Sequence, residues 1–377
     1  MIDPHNVLSQ KLSLGSGPTT ILVKDCIDIA GTPTCQGSGV LADIAPADRN
    51  AEVIDRLLAD GGWTITGKAN MHEFAFGVTG VNGWAGTVVN PRWPDRIAGG
   101  SSSGSAAGVA SGLADAAIGS DTGGSVRMPA ACCGVAGLKP SFGRVSRKGA
   151  YPTETSLDCI GVFARSMDLI EDVMAAIAPD WKAVQVPASL RIGLVAATAA
   201  TPVQAALADG VARLHVCPEA CDLPLMDAAF DAGVTIMGAE SWAALGQYAD
   251  HPAMGEDVRG RVKAGAAYGP DDLAKAEAVR ADFRAQVDAL LTRYDVLLLP
   301  TLPDVPPTLE EARDARKCVP LTRLVRPFNL SGHPAVSLPI LTPDGLPAGL
   351  QIVGRRGGDE ALCAAARWIE QALARSE

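Results

Sequence analysis

The chain has 377 residues, 47% hydrophobic and 20% charged, an ordinary globular composition with room for a full core. A net charge of −10 gives no basic footprint for nucleic acid and no polybasic patch for a membrane, and no apolar run is long enough to cross a bilayer. Nine scattered cysteines, odd in number, do not form a disulfide framework. With MIDPHNVLSQ lacking a signal pattern, the chain reads as cytoplasmic with reduced thiols.

Residues 1–20 are polar and weakly patterned. Thr20-Ile21-Leu22-Val23-Lys24-Asp25 reads as a strand running into a loop, with Gly31 and Pro33 as turn signals. Asp48 or Asn50 can cap a helix over residues 51–60, stopped by Gly61-Gly62. Trp63-Thr64-Ile65-Thr66-Gly67-Lys68 follows as a strand, so Lys68 ends it facing the centre of an α/β domain. Residues 70–98 are loop-rich. Small residues from Ser103 to Gly112 allow a tightly packed helix, and Ala114–Gly119 is a short central strand. Leu138–Gly149 reads as a basic loop, and Ser166 caps a helix over 167–176.

Residues 179–187 look like a linker, and Leu190–Ala196 is a strand. Helical patterns then alternate, the longest over residues 271–293. Strands follow at 295–299, 335–340 and 349–354, and a closing amphipathic helix at 360–374. Strands alternate with helices throughout. The expected class is therefore α/β, a central mixed β-sheet covered by helices on both faces. The expected domain organisation is one domain over 1–377, with a core at about 20–175 and a part from about 190 that completes the sheet and pocket.

Residues 62–68 fit the first seven positions of a phosphate-binding loop, but Ala69 stands where magnesium needs Ser or Thr, and a helix precedes the first glycine. A buried lysine at the end of an apolar strand has its ammonium form disfavoured, so Lys68 is a candidate base. Only five histidines are present, none in an obvious strand-end loop after an acid, and Gly100-Ser101-Ser102-Ser103-Gly104 is an imperfect nucleophile elbow. A serine–lysine mechanism needs no histidine. Asp121-Thr122-Gly123-Gly124-Ser125 lets consecutive backbone N–H groups converge on a developing oxyanion; it also reads as a turn with Ser125 capping a helix.

Several stretches together resemble the amidase signature family: Gly67-Lys68-Ala69-Asn70-Met71-His72-Glu73-Phe74-Ala75, Gly99-Gly100-Ser101-Ser102-Ser103-Gly104-Ser105, Gly119-Ser120-Asp121-Thr122-Gly123-Gly124-Ser125-Val126-Arg127 and Cys133-Gly134-Val135-Ala136-Gly137-Leu138-Lys139-Pro140. Ser156-Leu157-Asp158 and Phe328-Asn329-Leu330-Ser331-Gly332-His333-Pro334 fit too. The resemblance implies Ser125 as acyl nucleophile, Ser101 as a relay serine with an unusual cis peptide bond, and Lys68 as base. Thr122, Gly123 and Gly124 would form the oxyanion hole. Ser101 and Ser125 lie 24 residues apart, the family spacing, which selects Ser101 over Ser102 and Ser103. Ser103 stands where the family usually has glycine, and the N-terminal region and the stretch from 180 to 330 are compact.

The implied activity is hydrolysis of a small-molecule carboxylic amide with no cofactor and no metal. The implied partners are that amide, with no nucleic acid and no membrane, and a homodimer is compatible. Alternatives are the glutaminase-type subunit of a tRNA-dependent amidotransferase, a urea- or carboxyurea-type hydrolase, or a catalytically dead binding protein. Phe74, Trp84, Tyr151, Met128 and Arg127 lie near the motifs as pocket candidates, Arg127 rather as a structural residue.

Overall fold

The computed structural model describes residues 3–375. The amino-terminal part runs β1 (Leu8–Gly15), β2 (Thr19–Lys24), α1 (Glu52–Asp60), β3 (Trp63–Ala69), α2 (Ser103–Ala110), β4 (Ala116–Asp121), α3 (Arg127–Cys133), β5 (Ala136–Lys139), β6 (Cys159–Ala164) and α4 (Met167–Ile177). The remainder runs β7 (Ile192–Val195), α5 (Thr201–Ala212), β8 (Glu219–Cys221), α6 (Met226–Leu245), α7 (Glu256–Gly265), α8 (Pro270–Arg293), β9 (Val296–Pro300), α9 (Arg326–Ser331), β10 (Ala335–Leu341), β11 (Pro347–Val353) and α10 (Asp359–Ala374).

All eleven strands form one mixed sheet in the order β1-β3-β2-β4-β6-β5-β10-β11-β9-β7-β8. β2 lies parallel to both β3 and β4, and β7 parallel to β8 and β9; the other neighbours are antiparallel. The join between β5 and β10 stitches the amino-terminal strands to the carboxy-terminal ones.

Alternate residues of a strand face opposite sides, and here both sides are apolar. Ile21, Val23, Ile118, Leu298, Val336 and Leu338 pack under α1, α4, α5 and α10. Leu22 and Ala117 pack under α2 and α3, while Leu297, Leu299 and Ala335 pack under α6, α8 and α9. The α/β class with helices on both faces follows directly from this two-sided burial.

Local details differ from expectation where tertiary contacts outweigh sequence signals. α1 has no side-chain cap: Asn50 instead accepts from Ala30 N and donates to Asp55. Its end does have the expected left-handed Gly61, at φ 80°. Ser166 caps α4 as expected, accepting from Leu169 N. Ser125 does not cap α3; Val126 holds that position. β1, β5, β6 and β8 go beyond the strands expected from the pattern, and β5 takes up Leu138 and Lys139, the start of the expected basic loop. Gln10 and Lys11 interrupt the apolar signal of β1, and β6 is a short apolar run that periodicity alone does not assign.

Candidate active site

The loop between Gly99 and α2 carries Ser101 behind a cis Gly100–Ser101 peptide. The exit from β3 braces this loop: His72 N donates to Ser101 O at 3.0 Å, and Gly104 N donates to Asn70 O at 2.9 Å. Gly104 is required for that approach, since a Cβ there would fall 2.5 Å from the carbonyl oxygens of Asn70 and Val7. Ser103, in the place of the usual glycine, begins α2 with its hydroxyl buried and unpartnered.

The expected base is corrected here. Lys68 is fully buried, but its ammonium is committed elsewhere: to Asp25 Oδ1 at 3.0 Å, Pro33 O at 2.8 Å and Thr34 Oγ1 at 2.9 Å. Lys24, at the end of β2, takes the expected place. Its Nζ donates to Ser101 Oγ at 2.7 Å and to Ser120 Oγ at 2.8 Å. Strand register explains the exchange. Val23 pairs with Lys68 and Lys24 pairs with Ala69, so the two lysines leave the sheet on opposite sides. An irregularity between Ile21 and Leu22, where the register jumps past Thr66, sets this offset.

Lys24 is fully buried and makes no ion pair among the described residues. Burial pushes its ammonium below the usual lysine range, although Cys26, Asp158 and Asp121 pull the other way. A lysine in that state can lose its proton and accept one from Ser101.

Ser125 sits half-buried on the turn between β4 and α3, and its hydroxyl makes no hydrogen bond among the described residues. A buried polar cluster fixes this turn. The Asp121 carboxylate accepts from Gly124 N at 2.7 Å, Val126 N at 3.2 Å, Arg127 Nε and Nη2 at 3.0 Å, and Asn329 Nδ2 at 2.8 Å. Arg127 continues to Gln351 and Val325, so it is structural, as expected. Burial opposes the charge on Asp121, but Arg127, Lys139 and Asn329 outweigh it and hold the carboxyl well below the ordinary range.

The Gly124 N–H is therefore already spent on Asp121, which corrects its expected place in the oxyanion hole. Thr122 is held from the other side: its hydroxyl donates to Asp158 Oδ1 at 2.8 Å, and Arg147 Nε holds Oδ2 at 2.8 Å.

Ser125, Thr122 and Gly123 open onto a cavity of about 230 Å³ walled by Ala75, Phe76, Met237 and Tyr268. A neighbouring cavity of about 260 Å³ shares Ala75, Phe76, Thr122 and Met237 with it. Of the pocket candidates, Phe74 and Tyr151 line this second cavity; Met128 and Arg127 are buried and Trp84 is half-exposed, away from both.

The family model described as Amidase matches residues 19–211 and 221–363. The chain belongs to the amidase signature family. This amidase-family chain is 35% identical to a glutamyl-tRNA(Gln) amidotransferase subunit of Halobacterium salinarum, over 94% of its own length and 95% of that protein. The same-named amidotransferase subunit of Thermotoga maritima superimposes with a TM-score of 0.84 at 28% identity, covering 97% of this amidase-family chain and 86% of the other. A chain from a vestigial protein complex, tied to the origins of an s-triazine catabolic enzyme, superimposes with a TM-score of 0.86 at 30% identity, over 95% and 84%. The family is one of amide C–N hydrolases.

Lys24 was not singled out from the sequence, and Ser120 and Asp158 stood inside quoted motifs without a role; the structure places Ser120 against Lys24 and Asp158 against Thr122. Lys24 had a signal: it ends an apolar strand just as Lys68 does. Only the pairing of the two strands distinguishes them.

Proposed function

We propose that this protein hydrolyses small-molecule carboxylic amides through an acyl-enzyme on Ser125, with Ser101 as relay and Lys24 as base. The observation that carries the reading is the 2.7 Å contact from a buried Lys24, free of any carboxylate, to Ser101 Oγ. Neutral Lys24 takes the Ser101 proton as Ser101 takes that of Ser125. Ser125 Oγ attacks the carbonyl carbon, and the N–H groups of Thr122 and Gly123 stabilise the oxyanion. The proton returns through Ser101 to the leaving amine, the C–N bond breaks, and water hydrolyses the ester. No step needs a metal or cofactor.

The similarity to the amidotransferase subunits favours a second reading, ammonia release from glutamine within a tRNA-dependent amidotransferase. The test is ammonia release from a panel of simple amides and glutamine by the isolated chain. The hydrolase reading expects turnover of simple amides without partner subunits, and none in Ser125→Ala. Turnover by the Ser125→Ala protein would sink it; turnover of glutamine alone would favour the second reading.

A further inference from the structure

The cavity that holds Ser125 is lined by three arginines, Arg261, Arg316 and Arg326, and by no Asp or Glu. Two of them already have anions: Arg261 pairs with Asp257, and Arg316, at the exposed rim, pairs with Asp314. Arg326 differs. It opens α9, is 3% exposed, and makes no ion pair among the described residues. Its guanidinium donates to Thr322 Oγ1 from Nε at 3.3 Å and from Nη2 at 2.9 Å, and Nη1 approaches Met237 Sδ at 3.4 Å. The Phe230 ring lies 5.4 Å away. Burial pushes the Arg326 guanidinium down to about 10, with Arg261 adding to the shift and Asp121 opposing it. It still carries its charge at neutral pH. A buried cation whose hydrogen-bond partners are all neutral, with a second arginine nearby, is costly unless an anion completes the site.

Its position sets where that anion belongs. A Cβ built on Gly123 would sit 3.2 Å from Arg326 Cζ, so the guanidinium lies against the turn that presents Ser125. We infer that the Ser125 cavity selects short amides that also carry a carboxylate, with Arg326 pairing with that carboxylate. The inference rests on the hydrolase reading above and names its substrate class. The arginine fork matches a carboxylate, and its closeness to Gly123 limits the link between carboxylate and scissile carbonyl to a few carbons. Neither cavity has an acidic side chain for an α-ammonium group, so half-amides of dicarboxylic acids suit the site better than amino-acid amides such as glutamine. The reaction is R–CO–NH2 plus water giving R–COO⁻ and NH4⁺, with R already bearing one carboxylate.

The experiment compares succinamate and glutaramate with the neutral diamides succinamide and glutaramide, using the full chain. Wild type is expected to prefer the half-amide acids in kcat/KM by roughly 10–100-fold, and Arg326→Gln to lose that ratio, with Arg326→Lys keeping part of it. In parallel, succinate and glutarate are titrated calorimetrically into the Ser125→Ala protein, where no turnover occurs. Binding is expected there, and its loss in the Ser125→Ala/Arg326→Gln double variant. Equal use of acids and diamides by wild type overturns the inference and leaves the hydrolase reading standing. An equal drop in kcat for both classes in Arg326→Gln also overturns it, placing Arg326 at the oxyanion instead. Should no amide of any class be turned over, the hydrolase reading fails, and dicarboxylate binding to Ser125→Ala then decides the anion site alone. Neither that binding nor the wild-type ratio depends on the Arg326 variants folding.

Discussion

Exchanging either buried lysine for methionine, a side chain of similar reach, should produce opposite defects. Lys24→Met removes the amine that reaches Ser101 and Ser120 at 2.7 and 2.8 Å. Two hydrogen bonds of about 1 kcal/mol each are lost, partly offset because an amine without a counter-ion no longer has to be buried. The fold should therefore stay within about 2 kcal/mol of wild type. The rate should not survive. A general base contributes on the order of 10²–10⁴, and groups that act as a unit fail together, so kcat should fall by about 10³-fold or more, roughly 4 kcal/mol of barrier. Lys68→Met strands the Asp25 carboxylate, whose side chain is 4% exposed, without its partner. Breaking a buried pair from one side costs about 3–5 kcal/mol, which lowers Tm by roughly 4–6 °C in a chain of this size. Its kcat per folded molecule should remain within about tenfold of wild type, since Lys68 touches neither serine. The assay is steady-state ammonia release normalised to folded protein, beside a thermal melt. A fully active Lys24→Met, or a dead but thermally intact Lys68→Met, would refute the assignment.

Other expectations follow from the same contacts. Lys24 acts only when neutral, so kcat/KM for a neutral amide should rise with pH through the lowered Lys24 value, an acid limb below the ordinary lysine value of 10.5; the limb should persist unshifted in Lys68→Met and would count against Lys24 if it moved there instead. Asp158→Ala releases the Thr122 hydroxyl, and with it the alignment of an oxyanion donor, so kcat should fall by roughly 10–100-fold with little change in KM; an unchanged kcat contradicts this. Gly104→Ala drives a Cβ into two backbone oxygens and should destabilise by about 2 kcal/mol or more in a denaturant melt. His333, buried between Ser331 and Asp288, is pushed down to about 4, first by burial. Between pH 6.5 and 4 the unfolded chain takes up a proton there that the folded one refuses, so stability falls with falling pH by up to about 3 kcal/mol; in His333→Asn that slope should flatten, as chemical denaturation across the range would reveal.

Much of the fold was readable because its strands are short apolar runs closed by Gly, Pro and Asp. β9, ending at Pro300, and the hairpin of β10 and β11 around Asp344-Gly345 are examples. The loop serines were legible for a similar reason: runs of Gly and Ser at Gly99–Ser105 and Asp121–Ser125 leave few structural uses other than close backbone approach. The base was not. Lys24 and Lys68 look alike in sequence, both closing apolar strands, and the familiar motif lies around Lys68. What separates them is a register jump between Ile21 and Leu22 on paired strands, a long-range property that local pattern does not encode. The Gly124 amide was likewise out of reach, because its partner is the Asp121 side chain three residues back, oriented in turn by Arg127 at the start of α3 and by Asn329 from a distant helix. Arg326 gave no signal at all, being one arginine among many until the fold buries it without an anion.

On this mechanism Ser125 carries the acyl group, and Lys24, through Ser101, drives its formation. A mechanism-based serine probe such as a fluorophosphonate, followed by mass spectrometry of the digested protein, is the decisive measurement. One adduct is expected, on Ser125 in wild type and in Lys68→Met, forming at least about 10²-fold more slowly in Lys24→Met. An adduct on Ser101, or labelling of Lys24→Met at the wild-type rate, would contradict the mechanism.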